Sequence, residues 1–136
     1  MNIKFEDAEQ SLTQDEISTF EDNYKIKLPE NYKTLILKYN GGLVEGVDYI
    51  DTLLSIKYGP VTVNDTIEIH QILEDNIPKG YFPFADDWGG NPITLCLIEG
   101  SDYGKVVKFY FDTDDEPKII AESLESLFKV SDINHI

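Results

Sequence analysis

The fold is decided by residues Tyr81–Phe111, with the sequence YFPFADDWGGNPITLCLIEGSDYGKVVKFYF. This segment predicts three strands, at Tyr81–Ala85, Ile93–Ile98 and Lys105–Phe111, joined by two turns. Most of its apolar residues are β-branched or aromatic, the types that fit a pleated, half-buried surface. Because apolar residues crowd both faces of the third strand, we expect that strand to lie at the centre of a sheet.

The first turn of this segment, Asp86–Asn91, has an unusual composition. It places the only tryptophan, Trp88, directly after two aspartates and directly before two glycines. Two interpretations are open. Either the indole folds onto the core and the glycines only turn the chain, or an exposed aromatic ringed by acids forms a hot spot for a protein partner.

The segments at the two ends of the chain predict helices. Thr13 and Glu16 form a capping-box pattern ahead of a first helix. Pro29 suits the first position of a second helix, which we expect to end at Asn40-Gly41-Gly42. Ser123 is suited to cap a closing helix.

The middle of the chain gives weaker patterns. We predict a loop with a short strand over Leu43–Asp51, and a strand over Leu54–Tyr58. Asn64–Asn76 predicts a helix with an apolar stripe, although the β-branched residues there also suit an extended chain. Lys118–Ala121 predicts a last strand. Helices at both ends of a mainly antiparallel meander predict one α+β domain over residues 1–136.

The composition excludes one class of partner and suggests another. Acidic residues number 26 against 11 basic ones, and every basic residue is lysine, so the net charge is −15. Such a surface repels the phosphates that dominate nucleic-acid affinity, and it has no arginine to read a base. The charge fits either a soluble protein kept monomeric by self-repulsion, or a surface that meets a basic protein. We expect a monomer or weak dimer.

The sequence contains no arrangement of residues that predicts catalysis, a cofactor or a metal. His70 and His135 have no partner at zinc-ligand spacing. Asp112–Glu116 superficially resembles part of a calcium loop, but it lacks the central glycine and the distal glutamate, and we interpret it as a solvated turn. We therefore expect no enzymatic activity.

Targeting signals are also missing from the sequence. The N-terminal residues contain no apolar signal core, and no apolar run approaches the ~20 residues of a membrane span. One cysteine, Cys96, excludes an internal disulfide and fits a reducing compartment. These features predict a cytoplasmic protein that does not contact a membrane.

The order and spacing of six short motifs resemble the SUKH superfamily of Smi/Knr-like proteins. The match runs over about residues 13–130, and the motifs are Leu28-Pro29-x-x-Tyr32, Asn40-Gly41-Gly42, Phe84-Ala85-Asp86-Asp87-x-Gly89-Gly90-Asn91, Gly104-x-Val106, Phe109-x-Phe111-Asp112 and Ile120-Ala121-x-Ser123-Leu124-x-x-Leu127. The resemblance implies an α+β domain with a curved, mainly antiparallel sheet of about five or six strands flanked by helices. It also marks Gly41, Gly42, Gly89, Gly90 and Asn91 as signature positions.

In bacteria, resemblance to this superfamily implies an immunity protein, which binds and neutralises a cognate polymorphic toxin domain, often a nuclease. The acidic composition of this chain favours a basic toxin. The alternative that the resemblance implies is a non-enzymatic scaffold or regulatory adaptor, as in the fungal cell-wall regulators. The residues that we expect to contact a partner lie in two loops: Asp86, Asp87 and Trp88 in one, and Asp48, Tyr49 and Asp51 in the other.

Overall fold

The computed structural model describes residues 3–111 and 113–136. It forms one open sheet of seven strands, in which each strand pairs antiparallel with the next one along the chain. The α+β class predicted from the sequence is confirmed, and the sheet is slightly larger than the five or six strands expected. The strands are β1 (Lys4–Glu6), β2 (Gly42–Glu45), β3 (Thr52–Leu53), β4 (Tyr81–Asp86), β5 (Pro92–Cys96), β6 (Val106–Lys108) and β7 (Lys118–Ala121).

Helices precede, interrupt and follow the sheet. The α-helices are α1 (Gln14–Tyr24), α2 (Glu30–Lys38), α3 (Val63–Thr66) and α4 (Leu124–Phe128). A π-helix, Ile67–Leu73, continues α3, and a 3₁₀ turn, Ile133–His135, follows α4. The last predicted strand is confirmed as β7, and the helices predicted at both ends are confirmed as α1, α2 and α4.

The capping box predicted for α1 is present. Glu16 Oε1 accepts a hydrogen bond from the Thr13 backbone N–H at 3.0 Å, and Thr13 Oγ1 accepts one from the Glu16 N–H at 3.1 Å. The second carboxylate oxygen of Glu16 lies 2.7 Å from Lys57 Nζ and also accepts a hydrogen bond from Tyr58. These bonds from Lys57, Tyr58 and Thr13 lower the pKa of Glu16 to about 2.

The central strand of the sheet is β4, and its side chains form the middle of the core. Phe82, Phe84 and Ala85 are fully buried. The ring of Tyr32 on α2 lies 4.9 Å from that of Phe82 in an edge-to-face arrangement, and Phe20 on α1 also packs on Phe82. Helices α1 and α2 therefore cover the sheet at β4.

The expectation that the strand at Lys105–Phe111 is central was wrong. This strand, β6, is shorter and lies next to the edge strand β7. Its apolar residues point to both faces of the sheet, because each face has its own apolar cluster. Val106 joins the main core, whereas Val107 packs in a smaller cluster with Cys96 and Phe109.

The predicted helix over Asn64–Asn76 exists, but its stripe is not buried. The Glu74 N–H bonds to the Ile69 carbonyl, five residues back, so each turn is wider than in an α-helix. This changes which side chains share a face. Ile72 and Leu73 are 60% and 78% exposed, and burial falls instead on Ile67.

The strand predicted over Leu54–Tyr58 was wrong. The sheet strand there, β3, ends at Leu53, and Ser55 forms only an isolated bridge to Thr62. The buried side-chain amide of Asn40 bonds this backbone in place of a strand partner, because it donates to the Ile56 carbonyl and accepts from the Ile56 N–H. Part of the chain is therefore held by a side chain in place of a neighbouring strand.

The glycine pair after α2 is needed for close packing. Gly42 has φ +107°, and a Cβ placed on it would lie 2.4 Å from the Glu6 carbonyl oxygen on β1. A Cβ on Gly41 would lie 2.7 Å from Ser55 Cβ. Both glycines let neighbouring backbone approach more closely than any side chain allows.

Candidate partner-binding site

The turn Asp86–Asn91 closes the hairpin between β4 and β5. The Asp87 N–H donates to the Asn91 carbonyl at 3.0 Å, and the Gly90 N–H donates to the Asp87 carbonyl at 3.2 Å. Gly90 has φ +82°, a conformation that costs a glycine little. Gly90 therefore turns the chain, as one of the interpretations required of the glycine pair, whereas Gly89 has no positive φ.

The carboxylate of Asp87 holds this turn together from inside. It accepts hydrogen bonds from Gly89 N at 2.9 Å, Asn91 N at 2.8 Å and Asn91 Nδ2 at 3.2 Å, and it lies 2.7 Å from Lys108 Nζ. Burial opposes its ionisation, but the bonds from Lys108, Asn91 and Gly89 together lower the pKa of Asp87 below its ordinary value. Its side chain is only 10% exposed.

Trp88 stands at the tip of the turn and is 84% exposed. The indole therefore does not fold onto the core, and the interpretation that buried it was wrong. An apolar surface of this size on a turn fixed by several hydrogen bonds is pre-organised for contact with another molecule.

Asn91 connects the turn to the chain beyond β6. Its Oδ1 accepts a hydrogen bond from the Phe111 N–H at 2.9 Å, while its own N–H and amide both bond Asp87. The motif positions Gly89, Gly90 and Asn91 thus shape the turn.

The loop before β3 lies beside this turn. The Asp51 N–H donates to the Asp86 carbonyl at 2.8 Å, and Thr52 pairs with Asp86 across β3 and β4. Tyr49 in this loop has φ +73° and is 50% exposed. Part of the predicted set, Asp51 and Tyr49, is therefore brought to the same end of the sheet as Trp88.

Lys108 is the member of this site that the sequence did not suggest. Its bond to Asp87, with smaller contributions from Tyr110 and Tyr49, raises the pKa of Lys108. Its Nζ also lies 4.8 Å from the centre of the Tyr110 ring. No local sequence motif connects Lys108 with the Asp86–Asn91 turn, because the two lie far apart in the chain. The signal that the sequence does offer is a lysine within an otherwise apolar strand.

Asp48 is turned toward another part of the molecule. Its carboxylate lies 3.3 Å from Lys129 Nζ at the end of α4, and both side chains are more than half exposed. An exposed ion pair of this kind contributes little stability and is easily exchanged for another partner.

Asp86 borders a shallow hollow of about 490 Å³ next to the turn. Burial, followed by the neighbouring charges of Asp87 and Asp51, raises the pKa of Asp86 to about 6, and His70 partly offsets this. The His70 ring packs on Phe111 with 4.8 Å between ring centres, and both residues line this hollow.

Two further findings concern the described residues alone. No group of three or more histidine, cysteine, aspartate or glutamate side chains among them is placed to hold a metal ion. None of the helices they form has the length and apolar character needed to cross a bilayer. Asp112, part of the acidic stretch compared with a calcium loop, lies outside the described residues, and Thr113–Glu116 is exposed.

Comparison with known proteins agrees with the resemblance of the motifs. A search of curated proteins gives no match. A family model described as "SMI1 / KNR4 family (SUKH-1)" matches residues 11–129, which is most of the chain. With its antiparallel sheet covered by helices and its glycine turns in place, the chain belongs to the SMI1/KNR4 (SUKH-1) family.

Proposed function

We propose that this protein is a bacterial immunity protein that binds a toxin domain stoichiometrically and neutralises it without catalysing a reaction. Membership of the SMI1/KNR4 family supports a function in protein–protein interaction. The observation that carries the proposal is the exposed indole of Trp88 on a turn that is bonded at its base by Asp87 and Lys108.

The contact surface that we propose consists of Trp88 and Tyr49 as aromatic anchors, with Asp51 and Asp86 beside them; Asp48, which pairs with Lys129, would join it only by exchanging that partner. Aromatic residues at the centre of an interface contribute most of its binding energy. The acids would steer a basic partner toward these anchors, because the net charge of −15 attracts cations from a distance.

Asp87 receives a different role from the other predicted residues. Its carboxylate is already engaged by Lys108 and by three N–H groups, and little of it is exposed. We assign it the positioning of Trp88, not direct contact. This differs from the simplest interpretation of the sequence, in which neighbouring acids contact the partner together.

The experiment is co-expression of the protein with the C-terminal domain of a secreted toxin encoded beside it, scored by growth. We expect the protein to restore growth and to co-purify with the toxin domain. Trp88→Ala should lose both effects, and Tyr103→Ala, which removes a half-exposed aromatic ring outside the proposed surface, should keep them. Failure of the unaltered protein to rescue growth, with capture of a cellular regulator in its place, would favour the adaptor alternative.

A further inference from the structure

A groove of about 830 Å³ lies at the end of β4 opposite the Trp88 turn. Tyr81, the first residue of β4, contributes to its lining, and the strand separates the groove from Asp86 by roughly 17 Å at ~3.4 Å per residue. The other walls come from the loop after α1, the π-helix and the connection between β5 and β6. This surface is thus distinct from the proposed toxin-binding surface.

The groove gathers positive charge in a protein that is otherwise strongly acidic. Lys25, Lys27 and Lys79 line it, against two carboxylates, Glu30 and Glu99. Glu30 is already paired with a lysine outside the groove, Lys33, at 3.4 Å.

The three groove lysines differ from most of the other lysines in having no ionic partner among the described carboxylates. Ion pairs within the part of the chain that the structure describes are formed by Lys33, Lys57, Lys105, Lys108 and Lys129. Cations gathered in one groove and left unpaired are available to a ligand that brings its own carboxylates.

The groove also offers apolar and aromatic contacts. Tyr24, Tyr81 and Tyr103 line it, and Ile72 projects from the π-helix with 60% of its surface exposed. A π-helical segment is uncommon and is frequently found at functional sites. The lining therefore combines unpaired cations with apolar surface that a side chain of a ligand can cover.

We infer that this groove binds an extended acidic peptide segment of a partner protein, with carboxylates facing Lys25, Lys27 and Lys79 and an apolar anchor against Ile72 and the tyrosines. Charge complementarity selects this occupant. A nucleic acid is disfavoured because its many phosphates would meet the net charge of −15, whereas a short acidic segment carries few charges. The inference does not depend on the proposed toxin-binding function, which uses another surface and a partner of opposite charge.

The test uses a short fluorescein-labelled peptide in which aspartate alternates with phenylalanine and leucine, titrated with the full chain and followed by fluorescence anisotropy. We expect saturable binding that weakens with salt. Changing Lys25, Lys27 and Lys79 together to glutamine should weaken it about tenfold, since three exposed charge contacts are removed. Trp88→Ala should leave it unchanged.

A control variant separates the groove from the general effect of losing exposed lysines. Lys4→Gln with Lys118→Gln changes exposed lysines on β1 and β7, away from the groove, and should leave peptide binding unchanged. The inference is overturned if the peptide shows no saturable binding up to about 1 mM, or if these control lysines matter as much as those of the groove. It is also overturned if sedimentation shows self-association that the groove variant abolishes, since the occupant would then be a second copy of the chain.

Discussion

Lys108, the last residue of β6, places its Nζ 2.7 Å from Oδ2 of Asp87 in the turn between β4 and β5. This pair spans β5 and joins the turn to the strand on its far side. Because both side chains are largely withdrawn from water, removing either one leaves a poorly solvated charge. The pair therefore fixes the base of the turn whose tip carries Trp88.

The first prediction concerns the stability that this pair provides. Asp87→Ala removes the carboxylate that accepts hydrogen bonds from three N–H groups, and it leaves Lys108 without its ionic partner. We therefore expect the free energy of unfolding to fall by about 2–3 kcal/mol. Urea unfolding measures it, with Asp114→Ala, in the exposed connection before β7, as a control expected to change by less than about 0.5 kcal/mol. A double-mutant cycle with Lys108→Ala should give a coupling of about 1–2 kcal/mol, and additivity would show that the pair contributes nothing.

The second prediction follows from the pKa of Asp86, which burial and then Asp87 and Asp51 raise to about 6. Because the folded-state pKa is raised, the contribution of Asp86 to the free energy of unfolding is fully present below pH 4 and is lost as the pH rises through 6. Asp86→Asn stays neutral, so above pH 6 it should be more stable than the wild type by about 2 kcal/mol, a figure reduced for the solvent screening of its exposed part, and the two should be equal below pH 4. Urea unfolding across this pH range measures the difference. A gain that is independent of pH would contradict the assignment to titration of Asp86.

The third prediction separates close packing from backbone strain at two glycines with positive φ. Gly42→Ala brings its Cβ against the Glu6 carbonyl oxygen at 2.4 Å, in addition to the cost of φ +107°. We expect the free energy of unfolding to fall by about 3 kcal/mol for Gly42→Ala and by about 1 kcal/mol for Gly104→Ala. The difference arises because Gly104 has φ +85° but no atom within 4 Å of the new Cβ. Thermal and urea unfolding compare the two variants, and equal losses would show that the contact between β1 and β2 relaxes freely.

The features that sequence predicted well are those encoded within a few consecutive residues. Thr13 and Glu16 form their capping box, and the Ser123 hydroxyl accepts a hydrogen bond from the Ser126 N–H at the start of α4. Such caps depend on local geometry alone, so their residue pattern identifies them. β7 was likewise predicted with its observed bounds.

What the sequence left open or wrong depends on distant parts of the chain. Trp88 is exposed at the tip of a turn that Asp87 bonds from inside, and Asp87 is in turn paired with Lys108 on another strand. β1 was not predicted because it has only three residues, two of them charged, and it becomes a strand only by pairing with β2. The site residues could therefore be proposed from composition, but their separate roles could not.

A fourth prediction concerns the rate at which the toxin domain associates. With a net charge of −15, we expect the association rate with a basic partner to fall about tenfold between about 0.05 and 0.5 M salt, with little change in dissociation. Stopped-flow mixing measures both. Asp51→Asn should slow association more than Asp22→Asn, which removes an equal charge on the exposed surface of α1. An association rate that ignores salt would contradict steering by these acids.

The fifth prediction tests Trp88 as a binding anchor that adds nothing to the fold. Because the indole is 84% exposed, Trp88→Ala should change the free energy of unfolding by less than about 0.5 kcal/mol, while toxin binding weakens by about 2 kcal/mol. Calorimetry measures the affinity, and Tyr103→Ala should change neither quantity. Asp87→Ala should weaken binding as well, although its carboxylate is turned inward, because the turn that presents the indole would loosen. Unchanged affinity in a folded Trp88→Ala protein would place the toxin elsewhere on the molecule.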